Sequence, residues 1–245
     1  MAIKLILLDA DDTLWHNMRH FEVAERAFAE MIATFADAGI ARATLSAVEE
    51  RNLKHYGYGA KSFTLSMIEA AVELGGNALP VESIARILET GRDLLRHPVD
   101  LLDGVGETIE KLAEIGELVL LTKGDLLHQE TKLAASGLGS YFRAVEIVSD
   151  KTVGTFRRLI ERHGVSPMEA IMAGDSLRSD INPALEAGAW AAFVPQPNAW
   201  SHEHAPEPVS EPRYSRLSSL SDLPRLIAAI NGVEDGEIQG GFHAA

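Results

Sequence analysis

Residues 3–15 read IKLILLDADDTLW, an apolar run from Ile3 to Leu8 broken by one lysine and stopped by Asp9, Asp11 and Asp12. A short, nearly continuous apolar run reads as a strand of a parallel sheet buried on both faces. Its abrupt end at charged residues marks a carboxyl edge, where open parallel sheets bind their ligands. Asp11 lies two residues beyond Asp9, so in an extended turn both carboxylates can point to one side. Two carboxylates with separate jobs suit phosphate-ester hydrolysis: one attacks phosphorus, and the other protonates the leaving group and then activates water. The competing reading is a turn whose aspartates merely cap the strand and the next helix.

Working outward, similar runs recur at 117–122 (ELVLLT), 144–149 (AVEIVS), 169–174 (EAIMAG) and 190–195 (WAAFVP). Helical periodicity separates them, with Val105, Ile109, Leu112 and Ile115 in one stretch and Val153, Phe156, Leu159 and Ile160 in another. A short helix at 180–187 stops at Gly188. Such alternation predicts an α/β fold, a Rossmann-like parallel sheet flanked by helices. Residues 197–213 are proline-rich and predict an extended loop, and 218–230 predict a final strand edge and a helix.

The stretch between the first two strands is too long for one crossover. Residues 17–98 show four amphipathic helices, marked by Phe21, Ala24, Phe28, Met31 and Phe35; by Leu45, Val48, Leu53 and Tyr56; by Leu65, Ile68, Val72 and Leu74; and by Ile84, Ile87, Leu88, Leu94 and Leu95. They predict an inserted α-helical bundle, a cap, entered after Leu14 and left through HPVDLLDG at 97–104. The expected division is a catalytic core of 1–16 and 99–231, the cap at 17–98, and a flexible tail at 232–245.

Composition narrows the function. The net charge of −14 and the lack of a basic run argue against a nucleic-acid partner. With no cysteine, thiol catalysis and disulfides are excluded. No apolar run is long enough to span a membrane, and Leu5–Leu8 is too short for a secretory signal, so a cytoplasmic protein is expected.

Three further segments carry chemistry. GDSLRSD at 174–180 places Asp175 and Asp180 after another strand. Carboxylates gathered at one sheet edge repel each other unless a cation intervenes, and hard Mg²⁺ takes oxygen ligands of this type. Thr122 ends ELVLLT and precedes Lys123 and Gly124, a hydroxyl and backbone amides suited to phosphate oxygens, although a threonine that simply belongs to a strand fits as well. Lys151 follows AVEIVS, where a lysine can neutralise a phosphoryl group in transfer; lone surface lysines are also common. Trp15 and His16 suit either packing or substrate contact. His202 and His204 read as a solvated loop, RRLIERH at 157–163 as a solvated helix face, and Phe28 and Phe35 as bundle core.

The four segments, in this order, resemble the haloacid dehalogenase-like superfamily. The resemblance implies a sheet ordered 5-4-1-2-3 with the Asp9 strand central and the strands of Thr122 and Asp175 beside it. It further implies Asp9 as nucleophile, Asp11 as acid and base, and Thr122, Lys123 and Lys151 on the phosphate. Mg²⁺ would be held by Asp9, the Asp11 carbonyl and Asp175, with Asp180 supporting through water or from behind. The implied activity is Mg²⁺-dependent hydrolysis of a small phosphorylated metabolite through an aspartyl phosphate. A phosphomutase is the main alternative; a dehalogenase, which lacks the second acid, and a catalytically silent binding protein stand further off. Two positions depart from the family pattern: Asp12 stands where glycine is usual, and Lys123 where asparagine is frequent.

Overall fold

The computed structural model describes residues 2–197, 200 and 203–232. Strand β1 (Leu5–Leu8) is followed by four helices, α1 (Met18–Ile32), α2 (Ala38–Tyr56), α3 (Ala60–Gly75) and α4 (Val81–Arg96). The chain then alternates through α5 (Val105–Ile115), β2 (Glu117–Lys123), α6 (Leu126–Ser136), β3 (Ala144–Val148), α7 (Val153–Arg162) and β4 (Ala170–Gly174). It ends with α8 (Asn182–Glu186), β5 (Trp190–Phe193), β6 (Tyr214–Arg216) and α9 (Leu223–Asn231).

The six strands run parallel in the order β3-β2-β1-β4-β5-β6. The expected neighbours of β1 are therefore present, and the class is α/β as anticipated. The order differs from expectation by one strand. Tyr214–Arg216 adds a sixth at the β5 edge, just before the segment expected to supply a final strand, and 220–222 is a 3₁₀ turn instead. A three-residue strand carries too little periodicity to be distinguished from the loop before it.

Alternate residues of the strands serve two cores. Ile6, Leu8, Leu118, Leu120 and Ile171 pack against Ile109, Leu112 and Ile227 on one face. Leu5, Leu7, Val119, Leu121 and Met172 pack against Phe156, Leu159 and Ile160 on the other. Both faces are covered, which is why the strands read as continuous apolar runs.

Helices α1–α4 keep a separate core built on Phe28, Ile32, Leu45, Val48, Phe63, Met67 and Ile87. The expected face of α3 needs correction. Leu65 and Val72 are exposed, and Phe63, Met67, Ala70 and Ala71 point inward. Helix α4 comes very close to α3 here: a Cβ on Gly91 would lie 2.1 Å from the Thr64 hydroxyl. Tyr56 and Leu88, also expected inward, are exposed.

Two segments join the helices to the sheet. They pair through Leu102 N–H to the Leu14 carbonyl and His16 N–H to the Asp100 carbonyl, with Trp15 bridged to Leu101. Among the described residues no helix is long and apolar enough to cross a membrane. The tail expected to fray lies, from residue 233 on, outside the described residues.

Candidate active site

Asp9, Thr122 and Asp175 are brought together because β1, β2 and β4 are neighbours and all end at one edge. Asp9 is buried and accepts hydrogen bonds from the Lys151 ammonium and from the Thr13 hydroxyl at 3.1 Å. Lys151 also donates to Asp180 at 2.6 Å, so one buried ammonium bridges two carboxylates. Burial alone would lower its pKa, but Asp180 and Asp9 hold it above the ordinary lysine value. The bland reading of Lys151 as a surface lysine is thereby set aside.

The second Asp180 oxygen accepts from the Ser176 N–H at 3.1 Å. Gly174 is required beneath it, since a Cβ there would lie 2.2 Å from that oxygen. Oxygens of Asp9, Asp175 and Asp180 all lie within 4.8 Å of one another. Burial, with the charge of Asp9 added, pushes Asp180 up to about 7 despite Lys151. Asp175 is raised well above the usual range by burial and by Asp9, Asp180 and Asp12. Three converging carboxylates that a single lysine does not balance, all hard oxygen donors, fit a divalent cation such as Mg²⁺. Asp180 sits in this group itself, closer to a ligand's place than the supporting one expected for it.

Asp11 points away from that cluster. Its carboxylate accepts from the Trp15 indole at 2.7 Å, from Gln129 at 2.9 Å and from the Lys132 ammonium. Burial would raise its pKa, yet Lys132, Gln129 and Trp15 together hold it below the usual value. Trp15, fully buried, thus packs and at once positions the loop that carries Asp9 and Asp11.

Asp12 explains the missing glycine. It takes the left-handed conformation, φ 59°, that glycine adopts most easily. Its carboxylate then accepts from the Asn17 and Met18 N–H groups, both at 2.9 Å, fixing the first turn of α1. Burial first, then the charges of Asp11 and Asp9, leave Asp12 raised to about 6.

Thr122 is buried and accepts from Gln129 at 3.2 Å. Lys123 donates to Ser179 at 2.7 Å, pairs with Glu203 and lies 3.7 Å from the centre of the Tyr58 ring. Glu203 also accepts from the Ser176 and Ser179 hydroxyls. Sequence reasoning missed Gln129, Lys132, Ser176, Ser179 and Glu203. The WSHEH segment did draw notice, but for its histidines: His204 is exposed, and His202 lies outside the described residues.

These groups line a cleft between the sheet edge and the helices. On the helix side lie Glu25 and Glu49. Burial, with Glu25 adding to it, pushes Glu49 up to about 8. The folded chain then keeps a proton that the unfolded chain releases near its ordinary pKa, so stability falls as pH rises toward 8. Glu49→Gln cannot ionise. It should leave Tm nearly unchanged around pH 4.5 and raise it at pH 8.5, by about 2–4 °C per kcal/mol relieved. An equal change at both pH values in thermal melts would show that Glu49 ionises freely in the fold.

The sequence profile of the haloacid dehalogenase-like hydrolases matches residues 3–188. A solved structure of a haloacid dehalogenase-like family hydrolase from Xanthomonas campestris is 38% identical, superposes with a TM-score of 0.85, and is covered over 93% of its length by 94% of this chain. Mouse N-acylneuraminate-9-phosphatase is 30% identical over 145 residues, which are 56% of this chain and 55% of that enzyme, so the match spans about half of that relative. Glyceraldehyde 3-phosphate phosphatase of Methanopyrus kandleri is 28% identical over 199 residues, 76% of this chain and 81% of that enzyme. The profile match runs from β1 through the four inserted helices to α8 and contains Asp9, Asp11, Thr122, Lys151, Asp175 and Asp180: the chain belongs to the haloacid dehalogenase-like hydrolases.

Proposed function

We propose that this chain is a phosphoric monoester hydrolase acting on a small phosphorylated metabolite through an aspartyl phosphate on Asp9. The observation that carries this reading is the convergence of Asp9, Asp175 and Asp180 around the Lys151 ammonium, beside Thr122. Phosphatases among the relatives support it, but they differ in the substrates their names give, so they do not choose one for this chain. Residues 1–16 and 99–231 act as the catalytic core, and 17–98 as a cap over its edge. The acidic composition fits a cytoplasmic enzyme without a nucleic-acid partner.

In this reading an Asp9 oxygen attacks phosphorus and the ester oxygen leaves. Thr122, Lys123 and Lys151 hold the phosphoryl oxygens, and the two ammonium groups oppose the charge that builds on them. Lys123 must first exchange its pairing with Glu203 for the phosphate. Asp11 moves the protons, to the departing alcohol and later from the water that splits the aspartyl phosphate. Mg²⁺, held by Asp9, Asp175 and the Asp11 carbonyl with Asp180 against them, would neutralise the phosphoryl group and the clustered carboxylates. Asp11 also separates this reading from a dehalogenase, which in the family lacks that acid.

The test is phosphate release from a panel of phosphorylated metabolites, with and without a chelator. Release should require Mg²⁺. Asp175→Ala should raise the Mg²⁺ concentration for half-activation by about 10–100-fold or more. Unchanged Mg²⁺ dependence in that variant would remove Asp175 from the metal, and no release from any ester would sink the phosphatase reading.

A further inference from the structure

The chemistry above uses the sheet side of the cleft and leaves two carboxylates on the cap side without a task. Met18, Phe21 and Glu25 follow one another along the face of α1 that lines the cleft, and Glu49 and Leu53 do so on α2. Spacings of three and four residues put each set on a single helix face. Glu25 feels Arg42 and Arg26, both exposed, from outside the cleft. Among the described residues no cation or hydrogen bond offsets Glu49, and the charge it feels is that of Glu25.

The wall around the pair is aromatic. Phe21 and Phe63 meet edge to face at 5.1 Å, and both line the cleft. Carboxylates and aromatic rings are the two kinds of group that attract a cation. On the opposite wall Lys123, Lys151 and Thr122 stand where a phosphate would sit, among the Asp9, Asp175 and Asp180 carboxylates. A phosphate held there leaves the other end of the substrate toward Glu25 and Glu49.

Building on the phosphatase reading, we infer that the substrate is a zwitterionic phosphate monoester whose alcohol part carries a protonated amine, received by Glu25 and Glu49. A hydroxyl-rich alcohol such as a sugar is the obvious competitor for glutamates. Hydroxyls can donate to a carboxylate, but they bring no charge. They leave the repulsion of Glu25 on Glu49 in place, and the cost of ionising Glu49 persists. An ammonium group removes that cost and gains the aromatic wall as well.

Matched pairs of esters test this: ω-aminoalkyl phosphates against ω-hydroxyalkyl phosphates, from two to five carbons, with Mg²⁺ and the full chain. The members of a pair differ at the distal group alone. At the length that spans the cleft, kcat/KM should favour the ammonium ester by about 10-fold or more. Glu49→Gln should bring that ratio near one, and Glu25→Gln should reduce it. Equal kcat/KM for both esters at every length would overturn the inference, as would a preference that survives in both variants. If no ester is hydrolysed, calorimetric binding of the same pairs decides. An ammonium preference that Glu49→Gln abolishes would keep the amine subsite and sink the phosphatase reading. Equal binding would overturn the subsite itself.

Discussion

Asp9→Asn is expected to lower kcat by on the order of 10⁴–10⁶-fold, the scale seen when a nucleophile is removed from an otherwise intact site. An amide in place of the carboxylate cannot form the acyl phosphate. The fold should not suffer. Asparagine has the same shape, its oxygen can still accept from Thr13, and Lys151 keeps Asp180 as its partner. One of the three converging charges is also removed, which relieves Asp175 and Asp180. The variant should therefore melt no lower than the parent when divalent cations are absent, and should gain less from added Mg²⁺. Phosphate release and thermal melts on the same preparation check both halves. Activity above about 1% of the parent, from protein freed of host phosphatases, would take the nucleophile's role away from Asp9.

How far the site could be read in the sequence follows from where its residues lie. Asp9, Thr122 and Asp175 end or follow buried strands, and a buried strand ending in polar residues is visible as a composition break. Parallel topology then does the rest, because neighbouring strands deliver their ends to one edge. Gln129 and Lys132 carry no such mark. They sit one turn apart on α6, where glutamine and lysine are ordinary helix residues, and tertiary packing alone makes them buried partners of Asp11. Glu203 comes from a proline-rich loop whose path no periodicity records. Likewise Asp12 read as a departure from pattern, whereas its left-handed backbone and its capping of α1 give the acid a task that glycine cannot perform. The misjudged face of α3 has a related cause: apolar residues lie on several of its sides, and tertiary packing against the neighbouring helices decides which of them are buried.

Asp11→Asn should separate the two chemical steps. With Lys132, Gln129 and Trp15 on its carboxylate, Asp11 is ionised at rest, ready as a base; to serve as an acid it must gain a proton before the alcohol departs. An alkyl phosphate has a poor leaving group and needs that proton in the first step. An aryl phosphate, whose phenol is far more acidic, needs it much less. Without Asp11, phosphorylation of Asp9 by alkyl phosphates should slow by about 10²–10⁴-fold, while aryl phosphates still release a burst of phenol. Water activation is lost for both, so the second step should slow equally and the aryl burst should be followed by a low steady rate. Lys132→Met provides the complementary variant. Removing that cation raises the Asp11 pKa, and the base form is then lost at higher pH as the solution is acidified. The acid limb of the second step should shift upward, with the burst amplitude retained. Single-turnover kinetics across pH would resolve these effects. Equal slowing of the burst for aryl and alkyl esters in Asp11→Asn would make Asp11 a residue that orients the loop and the metal, leaving Asp9 as nucleophile but removing the proton transfers assigned to its neighbour.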